Sequence, residues 1–117
     1  MIRNLIAILL FAAASLVPQC AAQSPTTGNA ENGKRQFVKL GCYTCHGYEG
    51  QGGGAGAKLA PHPITAATLI AYVRHPKGSM PPFTNKVVSD EVLTDIHAYL
   101  TSIPAPPPAK DIPLLNQ

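Results

Sequence analysis

Two cysteines and a histidine stand close together in the run Cys-Tyr-Thr-Cys-His, which occupies residues 42 to 46. If this run turns helically, the thiols of Cys42 and Cys45 leave the backbone on one side, about one helical turn apart. The C-x-x-C-H spacing is typical of a c-type haem attachment site, where two thiols add to the two vinyl groups of a porphyrin. His46 would then lie under the ring, where its imidazole can take one axial position on the iron.

The same spacing is compatible with two other kinds of site. A C-x-x-C pair also serves thiol–disulfide exchange, and it forms half of many zinc sites. A zinc site of the common kind needs a second pair of ligands, but Cys20 is the only other cysteine and the remaining histidines are widely separated: His62, His75 and His97. A thioredoxin-like dithiol needs a βαβ context, and the sequence shows no pattern of paired strands.

The N-terminal 22 residues have the pattern of a secretory signal peptide. Arg3 supplies a positive charge, residues 5–17 form a short apolar run, and small residues follow up to Ala22, after which we expect cleavage. The sequence therefore predicts export to the periplasm, which agrees with a haem that is attached outside the cytoplasm. Two alternatives stay open: an uncleaved membrane anchor, although the apolar run is shorter than the ~20 residues that span a bilayer, and a lipoprotein acylated on Cys20.

Composition limits what the rest of the chain can be. Without the signal about 95 residues remain, few for a self-sufficient core, and no tryptophan is among them. A buried porphyrin would supply much of the missing apolar area. The formal net charge of +3 is far from the charge density of a nucleic-acid-binding domain, so we expect no nucleic-acid partner. We expect a linker at 23–28, one domain at 29–103 and a proline-rich tail at 104–117.

The sequence predicts two helices within residues 29–74. The first covers residues 29–40, with apolar residues at helical spacing on one stripe, and Gly41 ends it directly before the cysteines. The second begins at a Thr65 cap and runs to about Arg74, because Pro76 prevents its continuation.

A last helix begins at a Ser89 cap and completes an all-α fold. Its apolar residues form one continuous face: Val92, Leu93, Ile96, Tyr99, Leu100 and Ile103. We expect this helix to cross the first one, with Gly33 and Phe37 meeting Tyr99 and Leu100.

The loops between these helices carry two further signals. Residues 47–58 contain six glycines but lack the G-K-[ST] ending of a phosphate-binding loop. We therefore interpret them as a flexible loop that surrounds one edge of a flat ligand. Met80 precedes Pro81 and Pro82 in a stiff loop, whereas a methionine that fills a core gap normally lies on a helix face. Given the C-x-x-C-H run upstream, we interpret Met80 as a second iron ligand.

Taken together, these residues resemble a class I cytochrome c of the small bacterial, mono-haem type. The resemblance covers about residues 29–103 and rests on Gly33-x-x-x-Phe37, Cys42-x-x-Cys45-His46-Gly47, the glycine-rich loop, Met80-Pro81-Pro82 and Tyr99-Leu100. It implies a small cytochrome c fold, with helices packed around one haem c that is covalently attached through Cys42 and Cys45. It also implies His46 as the proximal ligand and Met80 as the distal ligand of the iron.

The chain departs from that family at one position. The family usually has Gly-Pro-x-Leu after the loop, and the proline carbonyl accepts a hydrogen bond from the proximal histidine. Here the stretch reads Gly56-Ala57-Lys58-Leu59. Ala57 keeps the carbonyl, so we expect the hydrogen bond to persist with less backbone stiffness.

The function predicted on these grounds is one-electron transfer, not enzymatic catalysis. With both axial positions filled, no substrate binds the iron, and the soft thioether raises its reduction potential. We expect redox proteins as partners, with a dehydrogenase as the electron donor and an oxidase or another cytochrome as the acceptor. The protein could be a free carrier or the cytochrome subunit of a dehydrogenase. Five lysines could steer acidic partners to the porphyrin edge or be ordinary solvated side chains: Lys34, Lys39, Lys58, Lys77 and Lys86.

The alternative is a haem peroxidase or gas-binding protein with an open or labile sixth iron position. Such a protein needs a distal acid–base residue, for which His62 and His75 are the candidates. Each stands beside a proline in a loop, and we expect both to be exposed to solvent. Replacing Met80 by alanine separates the two functions.

Overall fold

The computed structural model describes residues 27–116, and within that range the chain forms helices and no strands. The all-α prediction is therefore confirmed. The signal peptide predicted for residues 1–22, most of the predicted linker and the final Gln117 lie outside the described residues. None of the helices within residues 27–116 is long and apolar enough to cross a membrane.

Capping side chains begin the three longer helices, at Thr65 and Ser89 as predicted and at Asn29, which was predicted to lie inside the first helix. Their bounds are α1 Ala30–Lys39, α3 Ala66–Arg74 and α4 Asp90–Ser102, and the single turn α2, Tyr43–His46, follows α1. Asn29, Thr65 and Ser89 each accept a hydrogen bond from a backbone N–H in the first turn of the helix that follows. A short polar side chain there satisfies an amide that the helix itself leaves unpaired. The predicted tail contains two 3₁₀-helices, Ala109–Asp111 and Pro113–Leu115.

The crossing of α1 and α4 organises the domain. These two helices form the most extensive helix–helix packing, and α3 also packs against α4. A Cβ on Gly33 would overlap the carbonyl of Asp95 and lie 2.9 Å from the nitrogen of Ile96, so only glycine fits here. The rings of Phe37 and Tyr99 meet with centroids 5.7 Å apart at 58°. The predicted crossing is thus confirmed with one correction: Gly33 meets α4 one turn earlier than expected.

The hydrophobic core lies between these helices and the loop that precedes α4. Its buried members are Phe37, Ala60, Leu69, Val88, Leu93, Ile96, Tyr99 and Leu100. Four of them belong to the apolar face predicted for α4, because residues three and four apart share one side of a helix. Partly buried residues of α3 complete the packing, among them Ile70 and Val73.

Candidate haem site

The turn that ends α1 leads directly into the Cys-x-x-Cys-His run. Gly41 has a φ of +76°, in the left-handed region that glycine adopts without steric cost. Its N–H donates to the carbonyl of Val38 at 3.0 Å, and the N–H of Cys42 donates to the carbonyl of Phe37 at 3.1 Å. This pair of hydrogen bonds is the Schellman motif. The end of α1 therefore fixes where Cys42 begins the next turn.

The run itself turns helically, as its spacing requires. The backbone N–H groups of Cys45 and His46 both lie within hydrogen-bond distance of the Cys42 carbonyl, at 3.3 and 3.0 Å. The two cysteines are not joined by a disulfide, and Cys45 is exposed whereas Cys42 is half-buried. Burial raises the pKa of the Cys42 thiol, and a backbone hydrogen bond acts in the opposite direction. Cys42 at the N-cap of α2 and Cys45 within α2 therefore place two thiols one helical turn apart.

His46 is oriented by a hydrogen bond between its Nδ1 and the carbonyl oxygen of Ala57, 2.7 Å away. Because a carbonyl oxygen only accepts, Nδ1 carries the proton and donates, and the lone pair of Nε2 stays free for a metal. The hydrogen bond expected at Ala57, where the family usually has proline, is therefore present. A bond of this kind fixes the ring orientation and raises the basicity of a ligating histidine.

The glycine-rich loop folds back over this helical turn. The N–H of Gly52 donates to the carbonyl of His46 at 2.8 Å, and the N–H of Gly56 donates to the carbonyl of Cys45 at 3.0 Å. A Cβ on Gly56 would lie only 2.6 Å from Nδ1 of His46. The absence of a side chain at Gly56 thus leaves room for the hydrogen bond between the imidazole and Ala57.

A single large cavity brings the sequence-predicted site residues together. It has a volume of about 730 Å³, and Cys42, Cys45, His46 and Met80 all lie on its wall. The rest of the wall is mostly apolar and comes from α1, α3, α4, the loop between α2 and α3, and the loop that carries Met80. Cavities of roughly 300–1,000 Å³ are typical of small-molecule and cofactor sites. An apolar space with two thiols, an imidazole and a thioether on its wall fits a c-type haem.

The other titratable residues named from the sequence are distributed unevenly around this cavity. His62 lies on its wall and is exposed, whereas His75, the C-cap of α3, is exposed and does not line the cavity. Lys58 and Lys77 also line the cavity, while the other three lysines do not. Among the described residues, no carboxylate is part of the lining. Within residues 27–116, no three His, Cys, Asp or Glu side chains gather as a metal-binding group.

Two contacts near the site have no counterpart in the sequence interpretation. The hydroxyl of Tyr99 donates to the carbonyl of Tyr48 at 2.8 Å, which ties α4 to the start of the glycine-rich loop. The guanidinium of Arg74 donates to backbone carbonyls in the loop that carries Met80. Neither pairing could be found from the sequence, because the acceptors are backbone carbonyls and every residue carries one.

A helical fold with a Cys-x-x-Cys-His turn on the wall of an apolar cavity defines a small c-type cytochrome. Comparison with known proteins agrees: the family model described as "Cytochrome C oxidase, cbb3-type, subunit III" matches residues 28–100, and the chain belongs to this family. The chain is also 34% identical over 86 residues to the cytochrome c subunit of 4-cresol dehydrogenase [hydroxylating] from Pseudomonas putida, covering 74% of this chain and 73% of that protein. Among solved structures, none matches the chain.

These relationships support haem c as the cofactor and electron transfer as the function. Cytochrome c domains bind haem c, and both matches are to components of electron-transfer systems. The prediction of a small c-type cytochrome with an electron-carrier role is therefore confirmed at this level.

Proposed function

We propose that the protein is a periplasmic one-electron carrier with one haem c, attached covalently through Cys42 and Cys45 and ligated by His46 and Met80. The observation that carries the proposal is the cavity on whose wall all four side chains lie. The hydrogen bond from His46 to Ala57 supports it, because it leaves Nε2 as the nitrogen that is free for iron. The periplasmic location rests on the signal-peptide pattern of residues 1–22.

The two thiols anchor the cofactor. In the presence of haem, each S–H would add across one vinyl C=C bond of the porphyrin, so that sulfur would bond to one carbon and hydrogen to the other, and no group would leave. The helical turn at α2 presents Cys42 and Cys45 on one side, one helical turn apart, as the addition of both thiols to one porphyrin requires. The anchored cofactor cannot dissociate, and the imidazole of His46 is held beside it.

The chain then keeps both axial positions filled by its own side chains. Bound haem supplies the one-electron couple of its iron, and histidine with methionine favours a high reduction potential. Met80 is held in a loop stiffened by two following prolines, and His46 is held by Ala57. These restraints on His46 and Met80 would keep both ligands in place in either oxidation state, and so would keep the reorganisation on electron transfer small. The apolar side chains of the wall would limit the access of water to the bound cofactor.

The proposed donor is a dehydrogenase. The support is the similarity to a protein that is the cytochrome c subunit of a dehydrogenase. Lys58 and Lys77 on the cavity wall, with no carboxylate among the lining residues that the structure describes, favour a partner with an acidic docking surface. The proposed acceptor is a terminal oxidase or another cytochrome. A free carrier and a bound subunit both fit this surface.

The first experiment is the absorption spectrum of the purified ferric protein together with that of Met80→Ala. We expect the wild type to show the weak long-wavelength band that reports sulfur bound to ferric iron, and the variant to lose it. The variant should also have a lower reduction potential, because the thioether favours the ferrous state. Val87→Ala is the matched control, since Val87 belongs to the same loop, is 60% exposed and does not line the cavity. Its band and potential should stay at wild-type values.

Three results would contradict the proposal. A wild-type protein that carries haem without the sulfur band would exclude Met80 as a ligand. Peroxidase turnover or gas binding by the wild type at least as strong as in Met80→Ala would favour the alternative with an open or labile sixth position. Protein without haem, from a host that attaches haem to other cytochromes, would exclude the site built on Cys42 and Cys45.

A further inference from the structure

Arg74, the last residue of α3, makes an unusual set of contacts for a residue at a helix end. Its side chain is only 13% exposed. Nη1 donates to the carbonyl of Phe83 at 2.7 Å, Nη2 donates to the carbonyl of Val88 at 2.9 Å, and Nη2 is also paired with the carboxylate of Asp90. One planar guanidinium thus joins the end of α3, two points of the following loop and the first turn of α4. The fork geometry of arginine suits this arrangement, whereas a lysine ammonium could not span it.

These contacts lie on the part of the chain that carries Met80. Residues 75–89 connect α3 to α4, and Phe83 is held twice within them: its carbonyl by Arg74 and its N–H by the carbonyl of Val73 at 3.0 Å. Only Pro81 and Pro82 separate Met80 from Phe83. Since proline fixes φ, this short link is stiff. The position of Phe83 therefore restricts where the backbone of Met80, and with it the sulfur, can lie.

We propose that Arg74 is the positioning residue for Met80. By holding Phe83 and Val88 against the end of α3, it keeps the thioether at the cavity wall and makes its displacement by an external ligand unfavourable. The inference rests on the proposed function, because it requires Met80 to be an iron ligand. Its consequence is distinct, since it concerns how firmly the methionine is held and not whether it binds.

The test is a titration of the ferric haem protein with imidazole, which competes with the methionine for the iron. We expect Arg74→Met to bind imidazole about tenfold more tightly than wild type, a change of about 1.4 kcal/mol, and to show a weaker sulfur band. Arg74→Lys keeps the charge near Asp90 but loses the fork, and its affinity should lie between these two. At low imidazole concentration, Arg74→Met and Arg74→Lys should both still show the sulfur band, although the band is weaker in Arg74→Met than in the wild type.

Asp95→Ala is the matched control for a purely structural effect. Asp95 also holds two groups, the N–H of Asn29 and the amide of Asn32, each at 2.7 Å, but it joins α1 to α4 and does not line the cavity. Both Asp95→Ala and Arg74→Met should lower the midpoint of guanidinium unfolding. Only the Arg74 variants should change the affinity for imidazole.

The outcomes separate this inference from the proposed function. A wild-type protein without the sulfur band overturns both. A wild-type protein with the band, together with an Arg74→Met variant whose imidazole affinity equals that of Asp95→Ala, overturns the role of Arg74 alone. If Arg74→Met yields no folded haem protein, Arg74→Lys decides the question by the same comparison.

Discussion

Replacing Gly33 by alanine tests the helix crossing on which the cavity depends. Two effects oppose each other. Alanine is better than glycine inside a helix by about 1 kcal/mol, which would stabilise α1. The new Cβ, however, would overlap the carbonyl of Asp95 and lie 2.9 Å from Ile96 N, and these are backbone atoms of α4 that no rotamer change can move. The two helices would have to separate by about 1.5 Å to reach ordinary contact distances.

The steric effect should dominate. Inserting a methyl group into a well-packed contact typically costs about 1–3 kcal/mol. Because backbone atoms would have to move, the cost should lie at the upper end of this range. After the gain of about 1 kcal/mol in helix propensity, we expect Gly33→Ala to lower the free energy of unfolding by about 2 kcal/mol, with roughly 4–8 °C in Tm for each kcal/mol in a domain of this size. The separation would also shift Phe37 and Leu100, which line the cavity. Guanidinium unfolding of the haem protein, followed by circular dichroism, measures the change.

The neighbouring residue supplies the control. Lys34 is exposed on the same helix, so Lys34→Ala and Lys34→Gly differ in propensity without any steric conflict. At that position alanine should be more stable than glycine by about 1 kcal/mol. If Gly33→Ala stabilises the protein by a similar amount, α1 and α4 do not approach as closely as described, and the reasoning fails.

Two further substitutions test the surroundings of the site. Gly56→Ala should disturb the hydrogen bond of His46, because the new Cβ would lie 2.6 Å from Nδ1. The imidazole then becomes a less basic ligand that stabilises ferric iron less, so we expect a higher reduction potential and a shifted imidazole NMR signal. Unchanged values would contradict the crowding. Tyr99→Phe removes the 2.8 Å hydrogen bond to Tyr48 and should cost about 1 kcal/mol at neutral pH. Burial and, to a smaller extent, the charge of Glu49 raise the pKa of Tyr99 above its ordinary 10.0. The contribution of Tyr99 to wild-type stability is therefore complete below pH 10 and is lost as the pH rises through the folded-state pKa. Urea unfolding should show the free energies of unfolding of the wild type and Tyr99→Phe converging over that pH range. A difference that stays constant with pH would refute the assignment.

The helices could be predicted from the sequence because their signals are local. The capping residues Asn29, Thr65 and Ser89 stand where the structure begins each helix. Gly41 ends α1 through a left-handed turn, which only its lack of a side chain makes inexpensive. The convergence of the cysteines, His46 and Met80 on one cavity also agrees with the sequence interpretation, since chemistry that needs these residue types together leaves few other arrangements.

Contacts that depend on helix register and on backbone acceptors could not be predicted. The sequence indicated that Gly33 faces another element, but the partner on α4 lies one turn from the expected one, because the angle and offset of a crossing are set by packing along both helices. From the sequence, Arg74 only marked the approximate end of the second predicted helix. Its actual acceptors lie 9 and 14 residues further along the chain.

The cavity and the hydrophobic core share most of their residues. Six of the eight buried core residues also line the cavity: Phe37, Leu69, Val88, Leu93, Ile96 and Leu100. The polarity and packing around a haem influence its reduction potential, and the same residues determine the stability of the fold. A change at any of these six positions during evolution therefore alters the redox behaviour and the thermal tolerance of the protein at once. Relatives that serve donors of different potential should accordingly differ in this interior as well as on their docking surfaces.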